Sequence, residues 1–139
     1  MNFEYSETTQ EIRRAVADLC GNFGGDYRQK CEAEERYPHE FVDAMSEAGW
    51  LAALIPEAYG GSGLTLMDGC VILEEVNRSG ANGASCHAQM YTMAAILNHG
   101  SEAQKKKYLP RIASGDLRLQ AFGDTEPDAG SNTLKIKTF

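Results

Sequence analysis

No stretch of this chain approaches the roughly 20 consecutive apolar residues that a helix needs to cross a bilayer, so membrane insertion is not expected. Positive charge is also scarce: 13 Lys and Arg stand against 20 Asp and Glu, a formal net charge of -7. With no basic stripe to neutralise phosphates, a nucleic-acid partner is excluded. The densest cationic run, Lys105-Lys106-Lys107, reads as one solvated helix face. The opening residues, Met1-Asn2-Phe3-Glu4-Tyr5, carry no basic-then-apolar leader and no arginine-rich transit character, so a cytoplasmic location is the default expectation. Only four cysteines occur, Cys20, Cys31, Cys70 and Cys86. None form C-x-x-C, and their spacing fits neither a zinc ribbon nor a redox motif. No metal site is expected, and buried free thiols are the ordinary reading. Cys86-His87 would need a base, an orienting group or further ligands to act as a nucleophile or metal site, and no neighbour supplies them.

What is present is the composition of a soluble globular domain: 139 residues, 42% hydrophobic and 24% charged, enough for one domain with a real core. The first hundred-odd residues have helical spacing. Thr8-Thr9-Gln10-Glu11 has capping-box spacing, and Ile12, Val16, Leu19 and Phe23 then share one helical face. Gly24-Gly25 is predicted to end that helix. A short charged helix follows over about 26–35. Pro38 suits the first turn of a third helix, whose buried face is Phe41, Met45 and Ala48. Gly60, Gly61 and Gly63 mark a loop, which lacks both G-x-G-x-x-G and a P-loop lysine.

Thr65 with Asp68 predicts a capped start for a helix loaded with Val71, Ile72, Leu73 and Val76, central in a bundle. The next helix carries Cys86, Met90, Met93 and Leu97 on one face. A methionine stripe of that kind is either adaptable core or the lining of an apolar ligand site. His87 reads as a packed or surface histidine. Ser101-Glu102-Ala103-Gln104 is another capping box, and Pro110 is expected to kink or interrupt the helix it starts. Beyond Gly115 the period changes. Residues 118–122 and 134–139 alternate polar and apolar, which predicts two strands around a turn at 125–131.

Three segments carry a resemblance. Ile55-Pro56-Glu57-Ala58-Tyr59-Gly60-Gly61-Ser62-Gly63 resembles the P-x-x-Y-G-G-x-G loop of the acyl-CoA dehydrogenases. Gly100-Ser101-Glu102-Ala103-Gln104-Lys105-Lys106-Lys107-Tyr108-Leu109-Pro110 resembles their G-S-E-x-Q-K-x-x-Y-L-P segment. Phe122-Gly123-Asp124-Thr125-Glu126-Pro127-Asp128-Ala129-Gly130-Ser131-Asn132 resembles their T-E-P-x-x-G-S-D signature. The three occur in family order at family spacing, across essentially the whole chain.

The resemblance implies a mainly α fold. Residues 1–115 would be an N-terminal helical bundle domain, and 116–139 a hairpin-like start of the middle β-domain with the flavin-contact loop. It implies FAD-dependent α,β-dehydrogenation of an acyl-CoA thioester, a homo-oligomer, and either electron transfer flavoprotein or oxygen as the electron acceptor. Phe122, Asp124, Thr125 and Ser131 take the cofactor-binding positions. Ser131 is placed near pantetheine and pyrophosphate, and Met90 and Met93 line the acyl chain. The family's catalytic glutamate has no counterpart in these residues, so residues 1–139 alone are expected to be inactive and to retain no FAD. The alternative is a helical binding or assembly module on the same scaffold without chemistry. Two positions depart from the family pattern. Asp124 stands where an apolar residue is usual, which sets a negative charge against a ring that becomes anionic on reduction. Asn132 replaces an aspartate.

Overall fold

The computed structural model describes residues 4–121 and 123–138. Six α-helices follow in order: α1 Glu7–Gly21, α2 Gly25–Ala33, α3 His39–Glu47, α4 Leu66–Arg78, α5 Gly83–His99 and α6 Glu102–Ala113. Two short 3-10 turns, Trp50–Ala52 and Glu57–Tyr59, connect α3 to α4. The mainly helical bundle expected from the sequence is the fold observed.

The core has two centres. In the first, Ile12, Val16 and Cys20 of α1 meet Phe41, Val42 and Met45 of α3, Ile72 and Val76 of α4, and Cys86 of α5. In the second, Met93 of α5 meets Leu109 and Ile112 of α6 over Ala52 and Ile55 of the connection. Thus α1 packs chiefly on α4 and α5 chiefly on α6.

Both downstream capping boxes form. Thr65 Oγ1 accepts from the Asp68 amide at 3.3 Å, and the Asp68 carboxylate accepts from the Thr65 amide at 3.1 Å. Ser101 and Gln104 exchange the same pair of bonds at 3.3 and 2.7 Å. Asp68 also accepts from the Thr9 hydroxyl of α1 at 2.9 Å, so cap and interhelical contact are one network. The Thr65 hydroxyl bond leads in holding the Asp68 carboxyl below the usual carboxylate range, against the opposing effect of desolvation. The charged acceptor therefore persists at neutral pH.

Several boundaries differ from expectation. Helix α1 starts at Glu7 with Ser6 as cap, its hydroxyl accepting from the Thr9 amide at 3.1 Å. Thr9 is spent on Asp68, so the box predicted at Thr8 does not form. The helix ends at Gly21 rather than at Gly24-Gly25, and Gly25 instead opens α2. Pro38 caps α3 rather than sitting inside its first turn. Pro110 does not interrupt α6, which runs through it to Ala113. It lies in the last turn, where the bond to the Lys106 carbonyl is the one lost, and its own carbonyl still accepts from the Ser114 amide at 3.0 Å. Cys20, Cys31 and Cys86 are buried as expected, but Cys70 is exposed.

The two predicted strands are absent among the described residues. The only β pairing there is an isolated bridge between Glu126 and Ala129, and Thr133–Lys135 forms a 3-10 turn. A strand needs a neighbour to take its N–H and C=O groups, and here side chains take them instead. Phe122 and Phe139, the last residue of each predicted strand, lie outside the described residues.

Candidate functional site

Helix α5 is built with two working faces. At 100° per residue, His87, Tyr91 and Ala94 fall on one side, and Ser85 and Gln89 fall on the opposite side. On the first side α5 and α4 diverge over a groove of about 280 Å³. Its wall is almost wholly apolar: Leu54, Leu73, Met90 and Ala94, with the Gly69 backbone close beneath Leu54. Leu66 at its edge is 73% exposed, so the apolar surface runs out of the groove onto open protein. An exposed apolar surface of this kind is a candidate binding face. His87 sits at the rim, exposed, its ring 5.0 Å from that of Tyr91.

The methionine stripe divides between the two alternatives. Met90 borders the groove. Met93, one turn on, is fully buried against Leu109 and Ile112. Of the apolar residues on α4, Val71, Ile72 and Val76 are core, and Leu73 reaches the groove.

On its other face α5 holds the segment that leaves α6. Gln89 is 1% exposed. Its Oε1 accepts from the Leu119 amide at 2.8 Å, and its Nε2 donates to the Leu117 carbonyl at 3.3 Å. Gln120 Nε2 donates to the Ser85 carbonyl at 3.2 Å. Further out, the Arg118 guanidinium pairs with Asp43 of α3. Sequence reasoning missed this clasp. The available signal was Gln89 itself, an uncharged polar residue on the otherwise apolar stripe of Cys86, Met90 and Met93.

Beyond the clasp, Asp124, Thr125 and Ser131 are all exposed. Phe122 lies outside the described residues. The loop is closed by Glu126, whose carboxylate accepts from the Lys137 and Thr138 amides, each at 2.9 Å, and from the Thr138 hydroxyl. The Thr138 hydroxyl is the main reason that the Glu126 carboxyl lies below its ordinary pKa. Glu126 is thus the loop's brace, a role that its place in the motif does not disclose. The other two motif segments meet each other. Tyr59 donates its hydroxyl to Glu102 at 3.0 Å, a bond that raises the tyrosine pKa and lowers the glutamate's.

The six-helix bundle has the fold of the N-terminal helical domain of the acyl-CoA dehydrogenases. The chain belongs to the acyl-CoA dehydrogenase family: the family's N-terminal domain matches residues 6–116. It is 35% identical over 141 residues to acyl-CoA dehydrogenase FadE12 of Mycobacterium tuberculosis, covering 99% of this chain and 35% of that one. The structure of a glutaryl-coenzyme A dehydrogenase with glutaryl-CoA superposes with a TM-score of 0.83 at 31% identity, over 97% of this chain and 35% of that one. An acyl-CoA dehydrogenase of Bacillus anthracis complexed with FAD gives a TM-score of 0.84 at 30% identity, over 95% and 23%. The chain therefore spans about a third of the length of the curated relatives it matches.

Proposed function

We propose that this chain supplies the acyl-binding wall and the first flavin-contact loop of an FAD-dependent acyl-CoA dehydrogenase. Residues 1–115 form the helical domain and 116–139 the start of the next one. The open apolar groove between α4 and α5 carries this reading. Its volume lies near the lower end of small-molecule sites, which start at about 300 Å³. Leu54, Leu73, Met90 and Ala94 take the acyl chain out of water, and Met93 supports them from the core rather than touching substrate. Ser131 meets the pantetheine and pyrophosphate side.

The loop residues fit a flavin in part. The Thr125 and Ser131 hydroxyls are exposed and have no hydrogen-bond partner among the described residues. They suit the carbonyls and nitrogens of a ring edge, with Phe122 and Asp124 as the flanking contacts. Asp124 brings a negative charge that opposes an anionic reduced ring. Bound FAD would supply the hydride acceptor. This chain's part is to hold the acyl chain and the loop in fixed relation. An electron transfer flavoprotein as the onward acceptor and assembly into a homo-oligomer complete the proposal.

Titration of the 139-residue chain with octanoyl-CoA tests the groove. Amide shifts are expected at Leu54, Gly69, Leu73, Met90 and Ala94, and coenzyme A without an acyl chain should not reproduce them. Ala94→Trp, which fills the groove, should weaken binding about tenfold or more, equivalent to about 1.4 kcal/mol. Equal binding by coenzyme A alone, or an unaffected Ala94→Trp, would count against it. The same polypeptide is expected to be colourless and to show no turnover. Stoichiometric FAD absorption would overturn that expectation.

A further inference from the structure

We infer that Gln89 is a positioning residue: through its clasp on residues 117 and 119, helix α5 sets the place of the 123–131 loop relative to the groove on the helix's opposite face. The inference deepens the proposed function and rests on it for the meaning of the loop, while the clasp itself is read from geometry. A buried primary amide needs partners for both its nitrogen and its oxygen, and leaving either without one in a core is costly. Gln89 meets both needs with the backbone of a single extended segment. Its amide therefore does what a neighbouring strand would do, pairing with Leu117 and Leu119 while the intervening Arg118 points away to Asp43. Gln120 adds a parallel tie to Ser85, one turn earlier on the same face of α5. The segment is thus fixed in register by the helix.

Only three residues separate Leu119 from Gly123, so a slip of the clasp is passed on to the loop. On the far side of the same helix turns lie His87, Tyr91 and Ala94 of the groove. One rigid element therefore sets the distance between the acyl wall and the flavin-contact loop. Catalysis by alignment depends on such distances, and displacements of about 1 Å can cost about a hundredfold in rate.

The test uses the full 139-residue chain. Gln89→Met keeps length and apolar volume but removes both polar atoms. The Leu119 amide proton is expected to move upfield and exchange about tenfold faster, with faster exchange also across 123–126, as for any local opening released from a clasp. Gln89→Glu retains the acceptor, so the Leu119 amide should keep its shift and protection. Arg118→Ala cuts only the outer tie and should leave Leu119 protected. Octanoyl-CoA shifts in the groove should persist in Gln89→Met, which separates failure of the clasp from failure of the groove reading. An unmoved Leu119 amide and loop in Gln89→Met would overturn the inference. So would loosening by Arg118→Ala equal to that by Gln89→Met, or loss of Leu119 protection in a folded Gln89→Glu.

Discussion

Gly61→Ala is expected to destabilise the chain by about 3 kcal/mol, the upper part of the range for overpacking a core, and to lower the melting temperature by about 10 °C for a domain of this size. A Cβ at Gly61 would lie 2.1 Å from the Ile55 carbonyl oxygen, 2.5 Å from the Ile55 Cβ and 2.6 Å from the Ala52 carbonyl oxygen. Two of these are backbone atoms and Ile55 is fully buried, so no side-chain rotation relieves the contact. The closeness follows from the hydrogen bonds of the loop. Gly63 donates to the Ile55 carbonyl and Leu64 to the Ala53 carbonyl, both at 2.8 Å, which presses residues 61–64 flat on the turn before them. Displacing that turn would move Leu54, which forms a wall of the groove. Gly25→Ala provides the control. It is the first residue of α2 with nothing within 4 Å of an added Cβ, so a change within about 0.5 kcal/mol is expected. Urea denaturation of both variants decides the matter: a wild-type midpoint for Gly61→Ala would show that the loop can lift off Ile55.

The glycine motif was legible as a connection because glycine clusters punctuate chains for local reasons. Its close approach to Ile55 was not legible, since that depends on how two non-adjacent segments meet. The same division holds elsewhere. The caps at Thr65 and Ser101 were readable because both halves of each box lie three residues apart. At the start of α1 the sequence pointed to Thr8, but Ser6 caps the helix and Thr9 bonds to Asp68, 59 residues away. Alternation at 118–122 suggested a strand, which does not form among the described residues, and the sequence could not say that a glutamine side chain would pair with Leu117 and Leu119 where a partner strand was expected. Met90 and Met93 share a helical stripe, yet 60° of rotation about α5 puts one at the groove and the other in the core. Of the residues assigned to the site from the sequence, Asp124, Thr125 and Ser131 are exposed, Met90 borders the groove, Met93 is buried in the core, and Phe122 lies outside the described residues.

Arg13→Met is expected to destabilise the bundle by about 3 kcal/mol, near the low end of the cost of stranding a buried charge. Glu75 of α4 has a side chain only 2% exposed. Arg13 reaches it from α1, with Nε 3.0 Å from Oε1, and Arg78 reaches it from the next turn of α4 at 2.6 Å. Arg13 also pairs with Glu74 at 2.7 Å. Removing Arg13 leaves the Glu75 carboxylate facing the α1–α4 interface with Arg78, 65% exposed, as its remaining cation among the described residues, where water screens it. The loss should be recovered in large part by adding Glu75→Gln, because the penalty belongs to the unpaired charge and not to the missing attraction. Denaturation of the two single variants and the double variant forms a cycle, and a coupling of at least about 1 kcal/mol is expected. An exposed pair such as Arg28 and Glu32 on α2, whose side chains are 52% and 63% accessible, should contribute less than about 1 kcal/mol and fade in salt. Additive losses at Arg13 and Glu75 would mean that the buried carboxylate is tolerated for some reason other than its partner.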